Sequence, residues 1–124
     1  MTQTLTIVGW VPEQLANGPQ GSWRNTWRKK KDAASMAIGH ARQAEWVFMS
    51  GKVKMEIVYI FPQKRRRDPD GLVSRSKGVI DGLKVFFTDD STDYLDLSVT
   101  AEVIPGIKAT RVTLTSVETN GTMA

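Results

Sequence analysis

Ten residues, Lys52 to Phe61, constrain the fold more than any others in the chain. They begin in strict alternation, with Val53, Met55 and Ile57 set against Lys52, Lys54 and Glu56, the two-residue period of a half-buried strand. They end as Val58-Tyr59-Ile60-Phe61, apolar on both faces. Such a strand belongs in the middle of a sheet with its far end covered. Pro62 stops it. At once comes Lys64-Arg65-Arg66-Arg67-Asp68-Pro69-Asp70-Gly71, four cations running into two carboxylates. The most rigid element in the chain therefore delivers a concentrated charge conflict to one place.

The remaining elements follow from periodicity. Thr4 to Val11 is a strand with Leu5, Ile7 and Val11 on one face and Thr6, Val8 and Trp10 on the other. Residues 13 to 22 hold Asn17-Gly18-Pro19 and Gly21-Ser22, a loop long enough to suggest binding. A helix is expected from Lys29 to Phe48, with Ala34, Ala37, Ile38, Ala41, Ala44 and Phe48 as its apolar stripe and Ser50-Gly51 closing it. Its first turn would then carry three lysines, against the helix dipole. Leu72 to Lys84 is a second helix, with Leu72, Val73, Ser76, Val79, Ile80 and Leu83 facing inward. Tyr94 to Val103, with Leu95, Leu97, Val99, Ala101 and Val103 inward, and Lys108 to Val117 are strands joined through Pro105-Gly106, a predicted hairpin. The expectation is a single α/β (α+β) domain over residues 1–118, a mixed four-stranded sheet with two helices in the order β-α-β-α-β-β, followed by a disordered tail at 119–124.

Composition narrows the chemistry. With no cysteine and one histidine, His40, thiolate and histidine-rich metal sites, disulfides and a cysteine nucleophile are excluded. A lone histidine on a helix is expected to be structural. No apolar run approaches the length of a membrane span, and no secretory signal precedes the first strand, so a soluble, cytoplasmic protein is expected. The net charge is +4, and nine of the 17 Lys and Arg lie in two runs: Arg24, Arg28, Lys29, Lys30, Lys31, then Lys64, Arg65, Arg66, Arg67. Both runs suit a phosphate backbone. Trp23 and Trp27, interleaved with Arg24 and Arg28, suit nucleic acid by stacking, or else anchor the preceding loop onto the core.

The Asp68-Pro69-Asp70 tripeptide is expected to be extended, because proline keeps the preceding residue out of the helical region. Its two carboxylates would then project to one side, with Cα atoms roughly 6.6 Å apart. Two carboxylates at that span suit one hard cation such as Mg²⁺, which takes oxygen ligands and keeps several waters. Asp89-Asp90 is the candidate for a third carboxylate, with Asp81 as another option. Lys77 lies one helical turn before Asp81; it either pairs with Asp81 on the surface or stabilises charge building on a phosphate.

The run Arg65-Arg66-Arg67-Asp68-Pro69-Asp70-Gly71-Leu72, then Lys77-Gly78-Val79-Ile80-Asp81-Gly82-Leu83, then Asp89-Asp90-Ser91, resembles the RusA family of Holliday junction resolvases. The likeness is densest over residues 65 to 91; Asp70 and Lys77 are seven residues apart, and Gly71 stands where Asn is common. The resemblance implies a homodimeric endonuclease that cuts four-way DNA junctions with Mg²⁺ or Mn²⁺, in recombination and repair, without a small-molecule cofactor. It implies metal binding by Asp68, Asp70 and Asp90, with Asp89 assisting, and a catalytic role for Lys77. Small resolvases of this type are often phage-borne, and they act at DNA in the cytoplasm. The alternative is a DNA-binding accessory protein of the same fold that does not cleave.

Overall fold

Val53–Phe61 forms β2, and it is hydrogen-bonded on both sides. Val53, Met55, Ile57, Tyr59, Ile60 and Phe61 are all buried, so the change from alternation to a fully apolar end marks the central strand as expected. The computed structural model describes residues 1–13 and 23–117; most of the expected loop at 13 to 22, and the tail from 119, lie outside the described residues. The other elements are β1 (Thr2–Val8), α1 (Trp23–Gln43), α2 (Pro69–Arg75), α3 (Lys77–Leu83), a 3₁₀ turn at Lys84–Phe86, β3 (Leu95–Val103) and β4 (Ala109–Ser116).

The four strands form one mixed sheet in the order β1-β4-β2-β3. β2 pairs parallel with β3 and antiparallel with β4, and β1 pairs antiparallel with β4, so β1, β2 and β3 all run the same way. The predicted hairpin does not form: β2 lies between β3 and β4. Pro105-Gly106 still turns the chain, with Gly106 at φ 78°, but it carries the chain past β2 rather than back along β3. β3 is an edge strand with a partner on one side only, which leaves Ala101 and Val103 exposed rather than inward. One face of the sheet contributes Leu5, Ile7, Val53, Met55, Ile57, Tyr59, Val112 and Leu114 to a single core with the helices. The other face is polar, with Thr4 and Thr113 hydroxyls 3.2 Å apart and Lys54 paired to Glu56 at 3.1 Å.

Helix α1 starts earlier and stops earlier than the apolar stripe predicts. It begins at Trp23, so Lys29–Lys31 sit in the second turn and beyond, clear of the four free N–H groups. Its buried line is Ala33, Ala37 and Ala41, with Ala34 and Ile38 half-buried. Ala44 and Phe48 lie past its end and are exposed. The stop is a Schellman motif: the N–H of Trp46 donates to Ala41 O (2.9 Å) and that of Glu45 to Arg42 O (3.0 Å). Glu45 takes the left-handed conformation this requires, at φ 58°, and Trp46 buries its ring behind it. A motif normally closed by glycine is closed here by glutamate, which hid the stop from sequence reading. His40 Nδ1 lies 2.9 Å from Met36 O, a structural contact within α1.

The second helix is broken in two at Ser76. Ser76 Oγ donates back to Leu72 O (2.8 Å), and its N–H turns to Val73 O (3.0 Å) instead of the residue four back. Back-bonding of this kind bends helices. Because Ser76 has already committed its hydroxyl hydrogen, the buried Tyr59 O–H donates to Ser76 Oγ at 2.6 Å. Burial pushes the Tyr59 phenol up to about 12, so it remains a donor at any physiological pH. The break turns Val73 outward, while Leu72, Val79 and Leu83 stay in the core and Ile80 is half-buried. α3 then packs on α1 through two glycines. A Cβ on Gly78 would lie 2.6 Å from Lys30 O and 2.8 Å from Ala33 Cβ, and one on Gly82 would lie 2.7 Å from Ala34 Cα.

Two substitutions test these accounts. Gly82→Ala overpacks the α1–α3 contact against backbone and is expected to lower stability by about 1–3 kcal/mol or more in denaturant unfolding. Glu45→Gly relieves the left-handed residue and is expected to raise stability by roughly 1 kcal/mol, read the same way.

Candidate metal and nucleic-acid site

Because β1 and β2 run the same way, α1 and the α2–α3 pair both begin at the carboxyl ends of strands and return toward the amino ends. The return of α1 is visible directly: Gln3, near the start of β1, exchanges hydrogen bonds of 2.8 and 3.0 Å with Val47, just past the end of α1. The beginnings of α1 and α2 therefore share one end of the molecule. Crevices at the carboxyl ends of parallel strands are where open α/β sheets bind ligands.

At that end, Asp68 caps α2 by position, Pro69 fills the first helical turn and Asp70 follows it. Asp68 is extended, at φ −86° and ψ 144°, but Pro69 and Asp70 are already helical, so the expected extended tripeptide is only half correct. The Asp68 carboxylate makes no capping hydrogen bond and lies 3.9 Å from Arg66 Nε, with both side chains in solvent. An exposed pair at that distance contributes little. Asp70 is exposed and has no ion-pair or hydrogen-bond partner among the described residues. Both carboxylates line a polar cavity of about 620 Å³ together with Arg66, Arg67, Leu72 and Arg75.

The cations around them are held by the strand end. The Arg67 guanidinium lies 3.6 Å over the Phe61 ring and donates to Arg65 O (3.2 Å) and Gln63 O (3.3 Å). Arg75 lies 5.4 Å from the same ring and donates to Pro12 O at 3.2 Å. Desolvation lowers the pKa of Arg75, although an arginine stays charged at neutral pH. Arg66, Arg67 and Arg75 continue into a second cavity of about 490 Å³, which adds Arg65 and Lys108. Sequence reasoning missed Arg75 and Lys108: each is a lone cation outside the two basic runs, brought to the site by a helix and by the start of β4. Lys64 is exposed on the same loop.

The other predicted residues lie elsewhere. β2 and β3 are parallel, with Val53 beside Leu95 and Phe61 beside Val103. Asp68 and Asp70 follow the carboxyl end of β2, whereas Asp89 and Asp90 precede the amino end of β3. Asp90 is therefore at the opposite end of the crossover, and the turn after Phe87 does not swing it back. It pairs with Lys84 Nζ at 3.0 Å, and Asp81 pairs with the same ammonium at 3.4 Å. The surface partner of Asp81 is thus Lys84 and not Lys77. Lys77, at the start of α3, lines a separate cavity of about 250 Å³ with Lys30, Ile80, Asp81 and Asp90. No group of three or more acidic, histidine or cysteine side chains among the described residues is placed to hold a metal ion.

In the first basic run, Arg28 pairs with Asp32 at 3.4 Å. Lys31 Nζ lies 4.7 Å from the Trp27 ring centroid and Arg24 5.6 Å from that of Trp23. Both tryptophans are exposed and lie off the core, and the loop expected before them lies outside the described residues. Lys29 and Lys30 are half-buried on α1.

No helix among the described residues is long and apolar enough to cross a membrane. No protein-family model matches the chain, and no curated protein is similar to it in sequence.

The Asp90–Lys84 pair has a pH signature. The hydrogen bond from Lys84 holds the Asp90 carboxyl below the usual aspartate range, and the Asp90 hydrogen bond holds Lys84 above the usual lysine range. What Asp90 adds to stability is complete above the ordinary aspartate titration and is lost as pH falls through the lowered value. What Lys84 adds is lost as pH rises through its raised value. A carboxyl-carbon NMR titration is expected to place Asp90 below the ordinary aspartate value of about 3.9 and to show it moving up in Lys84→Met.

Proposed function

We propose that this protein is a divalent-metal-dependent endonuclease acting on DNA, with four-way junctions as its substrate. The observation that carries the reading is the exposed Asp68/Asp70 pair, which lines one cavity with Arg66, Arg67 and Arg75. Acceptor-only groups ringed by cations suit a ligand of both signs, a metal ion bound to a phosphodiester. Two carboxylates are enough for Mg²⁺ or Mn²⁺, which commonly takes one or two from the protein and completes its shell with water and substrate phosphate.

In this mechanism Asp68 and Asp70 would hold the metal, which when bound would supply a water of lowered pKa and Lewis acidity at the phosphate. Arg66 and Arg75 face the reacting phosphate and stabilise charge as it builds, while Arg67, anchored on Phe61, fixes the adjacent backbone. Arg65, Lys64 and Lys108 extend the phosphate track on one side; Arg24, Arg28 and Lys29–Lys31 supply a second basic surface at the beginning of α1. Asp90 and Lys77 take part only if a rearrangement, or a second copy of the chain, brings them to the pair. A two-fold homodimer would present two such sites to a two-fold junction.

A second reading is favoured by the separation of Asp90 from Asp68 and Asp70: a protein that binds junction DNA without cutting it. A synthetic four-way junction and a linear duplex, incubated with Mg²⁺ or Mn²⁺, decide between the two. Paired nicks are expected, abolished by EDTA. Asp70→Asn or Asp68→Asn should lower the rate by more than the roughly 10–100-fold typical of outer-shell partners while leaving junction binding intact. Junction binding with no nicking in either metal would leave the accessory role in place, and equal cutting of the linear duplex would indicate a general nuclease.

A further inference from the structure

We infer that Trp23 and Trp27 form a stacking platform for unpaired bases of single-stranded DNA. The inference rests on the reading of the protein as one that acts on DNA, and it adds the form of DNA this surface takes. Trp23 is 72% and Trp27 58% exposed, although the helix that carries them is packed into the core further along. They stand four residues apart and so on one side of α1. Together with Arg24 and Arg28 they line a shallow groove of about 490 Å³ whose walls are almost wholly apolar. Two large rings left in water are costly, and apolar patches of this kind mark binding surfaces.

Charge complementarity selects the occupant. Arg24 and Lys31 lie against the two rings, and Arg28, Lys29 and Lys30 follow on the same helix. A partner must therefore bring flat apolar faces together with a regular run of negative charge, as a nucleic acid strand does. Spacing separates single strands from duplex. Residues four apart on a helix place their Cβ atoms about 5–6 Å from one another, whereas stacked nucleotides advance about 3.4 Å per step. The rings thus suit bases that have come apart from their neighbours, while duplex bases present no free face. The platform also lies at the same end of the molecule as Asp68 and Asp70, because α1 and α2 both start there. A strand held on it would leave its backbone directed along the end that carries Arg65–Arg67.

The test uses the full chain in EDTA, so that nothing depends on cleavage. Fluorescence anisotropy compares a labelled oligothymidylate, an abasic strand of the same length and charge, and a duplex of that length. The wild type is expected to bind oligothymidylate more tightly than the abasic strand. Trp23→Ala and Trp27→Ala should each weaken oligothymidylate binding by at least about fivefold, as loss of one stacked base does. Abasic binding should be unchanged, and Trp27→Phe should keep most of the affinity. Circular dichroism and thermal unfolding of the variants should match the wild type, since both side chains lie in solvent. Equal binding of the oligothymidylate and abasic strands, or alanine variants indistinguishable from wild type, would overturn the inference. So would tryptophan-dependent self-association in sedimentation without any change in DNA binding, which would make the patch an interface between copies. A protein that cuts no junction but keeps the tryptophan-dependent preference refutes the nuclease reading alone. One that cuts junctions without that dependence refutes the platform alone.

Discussion

Every position at the candidate site depends on β2 being paired on both sides. Its parallel ladder with β3 obliges the chain to return along the length of the strands between them, and its antiparallel ladder with β4 keeps β3 and β4 from pairing as a hairpin. The crossover carries the chain from one end of the sheet to the other. Its first residues, Asp68 and Asp70, stay where β2 ends; its last, Asp89 and Asp90, arrive where β3 begins. Tyr59 and Phe61 then reach out of the same strand to hold the crossover. Tyr59 grips Ser76 at the break between α2 and α3, and Phe61 lies under Arg67. One strand thus sets both the direction of the segment and the fixed points along it.

The helix layer is set by the absence of side chains. Gly78 and Gly82 let α3 approach the backbone of α1 at Lys30 and Ala34 more closely than any residue with a Cβ would. This brings Lys30 beside Lys77, two like charges in one small cavity, eased by Asp81 and Asp90 along the same wall. Lys77 accordingly belongs to the α1–α3 seam, in a cavity separate from the one that Asp68 and Asp70 share with arginines.

The parts of this arrangement legible in the sequence were those with a local period. The alternation of β2, the apolar inner positions Leu72, Val79 and Leu83, and Ala37 and Ala41 of α1 each needed only neighbours along the chain, and the α+β class followed from their order. Strand order was not legible, since nothing between Tyr94 and Val117 says that β2 lies between the last two strands. The end of α1 was hidden because Glu45 occupies a conformation usually given to glycine, and its beginning because Trp23 and Trp27 break the apolar stripe while keeping the helix. The break at Ser76 came from a side chain that competes for a backbone carbonyl. For the site, the Asp68/Asp70 pair and its arginines were adjacent in sequence and remained so in space. Arg75 and Lys108 joined them only through folding, and Asp90 moved away for the same reason.

The seat of Arg67 has a consequence for how such a surface works. Its guanidinium is fixed by an aromatic face and two carbonyl oxygens, all of them uncharged. An arginine positioned by a carboxylate must surrender that counter-charge before an incoming anion can use it, and loses part of its field meanwhile. Arg67 needs neither step. Its charge is undiminished, its rotamer is already chosen, and adding salt would screen its field without loosening the side chain itself. The strand end thus offers a preorganised cation, rigid in position yet electrostatically unspent.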